Sequence, residues 1–374
     1  MRFATTVVSL ALALGLGALA ALPALAGPQA STPGAFMGDF NGDGKQDVAI
    51  LDSATLGVYV YVTASTIGAG ASLDTAESGF LVALPAGATI KGVGDFNGDA
   101  HADLLVLDGG GNLVALVSDS AVAAGSPVAL DAALTGYLTT PPAGWFVESV
   151  ADANGDGNAD VYVGNADGSV YVYITALTGS VPGVDAGNSG RPVVLPPSWS
   201  LGVVGDMNGD GLSDMVARND TPGATHALYT FISAAGGTSV NGAASGSPGA
   251  YPDGYDCCAA GDFTPPAADG SDLAIVGLTT NPGLTYVYAL GTDGFTINAG
   301  TSAANVALPG GWEPEGLGNF NDDEIADLLA SNTGTGQLLV FLSGGPGSVT
   351  SVPFLTTMPA GWAVPQFQGM GVAD

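Results

Sequence analysis

Basic residues are what this chain has least of: Lys and Arg together number 5 in 374 residues, against 35 Asp and Glu, for a formal net charge of −30. Such a chain repels nucleic acid and anionic membrane surfaces, which are bound through cationic side chains. Histidine is nearly as scarce. His101 and His226 come without a matched Ser, Cys or metal-ligand motif, so acid–base and nucleophilic catalysis have no foothold, and the chain reads as a non-enzyme. Cysteine is limited to the neighbours Cys257 and Cys258. Adjacent Cα atoms lie about 3.8 Å apart, so the two form either a strained vicinal disulfide or two free or intermolecularly paired thiols. Long hydrophobic runs are missing beyond the start. Met1-Arg2-Phe3, the apolar residues 7–22 and Ala24-Leu25-Ala26 read as a signal peptide over 1–26. The expectation is a secreted or cell-surface protein beginning near Gly27, with no membrane insertion after cleavage.

What the chain has instead is a repeat. The string Asp39-Phe40-Asn41-Gly42-Asp43-Gly44-Lys45-Gln46-Asp47 returns in near-copies at Asp95, Asp152 and Asp206 and in weaker ones at Asp262 and Asn319, at intervals of 56, 57, 54, 56 and 57 residues. A fixed period of this size marks one supersecondary unit per repeat. After each acidic string comes a solidly apolar run, at 48–51, 104–107, 161–163, 215–217, 273–276 and 328–330, as a strand buried on both faces requires. A β-branched and aromatic strand follows at 58–62, 113–117, 170–174, 226–232, 285–290 and 338–342. Each unit ends in a corner such as Pro141-Pro142-Ala143-Gly144-Trp145 or Met358-Pro359-Ala360-Gly361-Trp362. Four antiparallel strands per unit with no helical periodicity predict an all-β fold, a single β-propeller domain over 27–374. Six four-stranded blades are expected, with 362–374 supplying an extra inner strand beside 34–38; a rudimentary seventh blade is the alternative.

The acidic strings have the spacing of a calcium loop, because Asx side chains at alternate positions of a tight turn aim oxygens at one point. Positions 1, 3, 5 and 9 are Asp39, Asn41, Asp43 and Asp47; Asp95, Asn97, Asp99 and Asp103; Asp152, Asn154, Asp156 and Asp160; Asp206, Asn208, Asp210 and Asp214. Position 7 varies freely (Lys45, His101, Asn158, Leu212), as expected where only a backbone carbonyl coordinates. Position 9 reads as a bidentate ligand. Glycine at position 6 supplies a positive φ, and Ala100 there weakens the second loop if that conformation is kept. Any one copy alone also reads as a polar turn. The sixth loop, with Asn319, Asn321, Asp323 and Asp327, has one acid fewer and is expected to bind weakly or not at all. The lengthened fifth, from Asp262 through Asp269 to Asp272, is not expected to be a site. About four Ca²⁺ ions follow.

The run Gly38-Asp39-Phe40-Asn41-Gly42-Asp43-Gly44-Lys45-Gln46-Asp47-Val48-Ala49-Ile50 resembles the FG-GAP or VCBS repeat of integrin α-chain propellers and many secreted bacterial proteins. The resemblance implies that each loop joins the first two strands of a blade and that the four intact loops bind calcium. Many relatives are adhesion or lectin-like modules, and some are fused to or elaborated into enzymes, so fold and metal follow more firmly than activity.

All four tryptophans, Trp145, Trp199, Trp312 and Trp362, fall at one point of the repeat, with Tyr255 a fifth equivalent. They form either a stacking face for a carbohydrate or surface protein, or packing between blades. The reading is a calcium-binding, non-catalytic binding or adhesion module. A polysaccharide-acting enzyme on the same scaffold and a structural component of a surface assembly are the alternatives.

Overall fold

The computed structural model describes residues 36–364, apart from 65–71, 220, 222–225, 253, 265–269, 278–282 and 333. The expected signal peptide over 1–26 lies outside these residues. So do residues 365–374 and the side chain of Cys258.

Six sheets of four principal strands each follow one another around a ring, and there is no helix among the described residues. In the second blade the strands are Thr89–Gly94, Asp103–Leu107, Leu113–Leu116 and Gly136–Thr139, each antiparallel to the one before. The inner strands of successive blades touch: Thr89–Gly94 packs on Trp145–Ala151, that on Trp199–Gly205, that on Tyr255–Gly261 and that on Trp312–Gly318. The ring closes in the first blade. There Met37–Gly38 pairs with one end of Asp47–Asp52 and Trp362–Ala363 with the other, so the inner strand is assembled from both ends of the chain. Six blades, not seven, is the result, because the C-terminal strand joins the first sheet.

The second strand of each blade is apolar throughout for a reason that the clusters make plain. Val48 and Ile50 pack toward the sixth blade with Phe320, Leu329 and Leu338, while Ala49 packs toward the second with Leu104 and Val106. Alternate side chains therefore serve two different seams, and the core is divided among the blade interfaces rather than gathered at a centre. Position 2 of the loop plugs the seam beneath it: Phe40, Phe96, Met207, Phe263 and Phe320 are fully buried.

The Pro–Gly corners are β-turns. The N–H of Ala88, Trp145, Trp199, Tyr255, Trp312 and Trp362 each donates to the carbonyl of a proline three residues earlier. Two features were not expected. A hairpin, Thr175–Thr178 with Val181–Val184, projects from the third blade onto the outer strand of the second, where the Pro182 carbonyl closes over Gly136. Every inner strand from the second to the sixth blade also carries a β-bulge at one position, which falls on Lys91, Glu148, Gly202, Cys258 and Glu315.

Candidate functional site: the loop circuit

Each acidic loop is built around its first residue. The Asp152 carboxylate accepts the N–H groups of Gly155 and Gly157 at 2.8 Å each and of Asp156 at 3.2 Å. Asp39, Asp95 and Asp206 take the same three positions of their own loops. At position 5, one oxygen of Asp43, Asp99, Asp156 and Asp210 accepts the N–H of position 7 at 2.8–3.0 Å. These Asx turns hold position 6 at positive φ, +87° at Gly44 and Gly157 and +82° at Gly211. Ala100 keeps the conformation with φ +67°, so the second loop carries the strain foreseen for it. The sixth loop keeps the shape with two non-glycine residues at positive φ, Asp322 and Glu324, and Asn319 accepts through only one oxygen.

Position 9 is a tie within the blade. One oxygen of Asp47, Asp103, Asp160, Asp214, Asp272 and Asp327 accepts the N–H of position 2 of its own loop, at 2.8–3.1 Å. The other accepts the N–H of Thr63, Ser118, Thr175, Ser233, Leu290 or Ser343, where the third strand ends, at 2.7–2.8 Å. All six carboxylates are buried. Both oxygens thus have backbone partners, and Asp272 Oδ2 also accepts the Thr264 hydroxyl at 3.2 Å. Burial pushes Asp103 up to about 8 and Asp160, Asp214 and Asp327 up to about 7, with the N–H bonds opposing and the loop's other carboxylates adding to the rise. Asp47 is raised well above its usual range by the same causes, and burial raises Asp39. The fifth and sixth repeats keep this tie although their loops have diverged.

The loops are also joined to each other. The N–H of Ala102 donates to the carbonyl of Asp39 at 2.6 Å, Ala159 to Asp95 at 2.6 Å, Ser213 to Asp152 at 3.0 Å and Ser271 to Asp206 at 2.6 Å. Ala326 to Asp262 at 2.5 Å and Gln46 to Asn319 at 2.8 Å complete a closed circuit. Position 8 of each loop therefore grips position 1 of the loop before it. The hydroxyls of Thr63, Ser118, Thr175 and Ser233 donate to the position 8 carbonyls at 2.5–2.8 Å and brace the same peptide from behind. These four were missed in the sequence; the recurring Thr or Ser at the end of the third strand was the available signal.

Position 7 varies in residue type, as the sequence indicates, and the structure gives it a neighbour in another repeat. Its side chain lies over position 4 of the preceding loop: a Cβ on Gly42 would sit 2.6 Å from the His101 ring, one on Gly98 3.1 Å from Asn158 and one on Gly155 3.1 Å from Leu212.

Among the described residues, no three His, Cys, Asp or Glu side chains are grouped closely enough to hold a metal ion as they stand. The loop carboxylates are turned instead to backbone N–H groups. The donor set is nevertheless oxygen only and suits a hard divalent cation. The Lys45 ammonium lies 3.5 Å from Asp43, and the His101 ring nitrogen lies 3.6 Å from Asp99.

The tryptophans are not gathered together. Trp145, Trp199, Tyr255, Trp312 and Trp362 are half-buried, and each packs against a different cluster between blades. Trp362 lies 4.1 Å from the Tyr59 ring and Trp145 6.3 Å from Tyr171, centroid to centroid. Cys257 is buried and carries no free thiol, and the partner the sequence offers is Cys258. The His226 ring stacks on Tyr251 at 4.9 Å, with Nδ1 2.9 Å from the Asn219 carbonyl, a structural role.

Residues 152–217, the third loop through the second strand of the fourth blade, match the family described as FG-GAP-like repeat. The chain is a six-bladed β-propeller that carries an FG-GAP-like repeat at these residues. The other blades repeat the matched unit's tie and corner at the same period, and the first, second and sixth also repeat the turn of its loop. No curated protein sequence matches the chain. Among solved structures, the calcium structure of a carbohydrate-active enzyme of family AA12 from Trichoderma reesei is similar at 14% identity. It covers 74% of this chain and 87% of that one with a TM-score of 0.39, a likeness at which nothing about activity transfers. Among the described residues, no helix is long and apolar enough to cross a membrane.

Proposed function

We propose that the chain is a secreted, calcium-stabilised binding module that presents its propeller surface to a carbohydrate or a surface protein and performs no chemistry of its own. The observation that carries this reading is the repetition of one pre-formed carboxylate loop around the ring, with buried acids in the third and fourth loops that no ion pair among the described residues offsets. Burying carboxylates without a counter-ion is costly, and a divalent cation is the counter-ion these oxygens suit. Loading exchanges the Asn-to-Asp side-chain bonds of positions 3 and 5, such as Asn154 to Asp156 at 3.0 Å, for bonds to metal. The loop's backbone turns are already in place, so little ordering remains.

The half-buried aromatic rings leave an edge in solvent, and stacking on such rings is how a neutral, hydroxyl-rich ligand is held by a surface poor in cations. A glycan array probed with the calcium-loaded protein tests the binding role. Sugar binding that is lost on Trp145→Ala or Trp312→Ala supports it. A blank array with self-association in solution favours a structural component of an assembly instead.

A further inference from the structure

The first loop differs from the other intact ones in where its side chains point. In the second, third, fourth and sixth loops the position 3 asparagine donates Nδ2 to Oδ2 of the position 5 aspartate, at 3.0, 3.0, 3.1 and 2.8 Å. In the first loop Asn41 has turned away and donates to Glu77 Oε2 at 2.7 Å, on the long outer strand Leu73–Ala83 of its own blade. Glu77 is fixed in turn by the N–H of Gly125, at 2.6 Å from its other oxygen. The place left at Asp43 Oδ2 is taken by the Lys45 ammonium, 3.5 Å away.

Lys45 is a buried lysine, with 3% of its side chain exposed, in a chain that has only five basic residues. Its neighbours close the ring. Gly44 faces Asp322 of the sixth loop, the Gln46 N–H holds the Asn319 carbonyl, and the Gln46 side chain fills the space that a Cβ on Gly318 would need. The positive charge therefore sits where the first and last blades meet, beside the loop in which Asn319 replaces the usual aspartate.

We propose that the Lys45 ammonium is the resident cation of the first loop, so that this loop takes no calcium and the chain loads at three loops, those opening at Asp95, Asp152 and Asp206. The inference rests on the calcium reading above and refines its stoichiometry. A tethered ammonium cannot be removed by a chelator, so the seam that closes the ring stays neutralised while the three other loops depend on metal. A dication entering the first loop would have to displace a buried like charge.

The test is a count of bound calcium by equilibrium dialysis and by native mass spectrometry, on the full mature chain and on three variants. Three ions per wild-type chain are expected, with four in Lys45→Met. Asp43→Asn should leave the count at three, while Asp156→Asn should lower it to two. Four ions in the wild type, falling to three in Asp43→Asn, would overturn the inference and leave the calcium reading intact. No bound calcium in the wild type would overturn the calcium reading itself. The wild-type count and the Asp43→Asn comparison decide the matter even if Lys45→Met does not fold.

Discussion

Asp160 is worth more to this protein than its surface neighbours because two backbone N–H groups depend on it, those of Ala153 and Thr175. Asp160→Ala leaves both buried donors without an acceptor, at a cost of about 2–4 kcal/mol, read as a lowered urea midpoint in calcium-free buffer. A ligand role alone would leave the calcium-free midpoint unmoved. Glu315 gives a second residue-scale expectation. Burial, with Glu313 nearby, pushes its carboxyl up to about 7 while the Ser331 hydroxyl donates to it. A carboxyl raised in the fold binds its proton more tightly there than in the unfolded chain. Its stabilising contribution is therefore full below about pH 4.5 and lost as pH rises through 7. Glu315→Gln keeps the acceptor and removes the titration. The two proteins should be of similar stability at pH 5, and the variant should gain on the order of 1–3 kcal/mol by pH 8. A difference that does not change with pH contradicts this account.

At the scale of elements, the tight point is where neighbouring inner strands converge on the axis. The residue before each loop is glycine in five of the six repeats, and the reason is the next blade: a Cβ on Gly94 would meet Ala159 Cβ at 2.7 Å and one on Gly38 would meet Ala102 Cβ at 2.4 Å. Gly94→Ala should cost about 1–3 kcal/mol through forced separation of the second and third blades, measured by thermal melting. This contact also marks the limit of what the sequence discloses. The apolar second strands, the Pro–Gly corners and the acidic loops were legible because each is a local pattern repeated at one period. The bulge at Lys91, Glu148 and Glu315 was not, since an inserted residue leaves alternation readable on either side. The bond from Asn41 to Glu77 joins residues 36 apart and occurs in one blade only, so repetition could not reveal it. The contact that position 7 makes was illegible for a related reason: its partner lies in another repeat, and the constraint falls on the partner's glycine rather than on position 7 itself.

For the molecule as a whole, stability is divided among seams. Each has its own apolar cluster, and all six are threaded by the backbone circuit from one loop to the next. A cation that draws together the oxygens of one loop also fixes the carbonyl gripped by the following loop, so metal loss should loosen the ring cooperatively rather than blade by blade. Melting the mature chain in saturating calcium and in excess EGTA at neutral pH tests this most directly. A single transition that falls by ten degrees or more on chelation, roughly the shift expected when several sites release metal at once, is the predicted result. Superimposable melting curves, with no metal bound to the purified protein, would contradict the account.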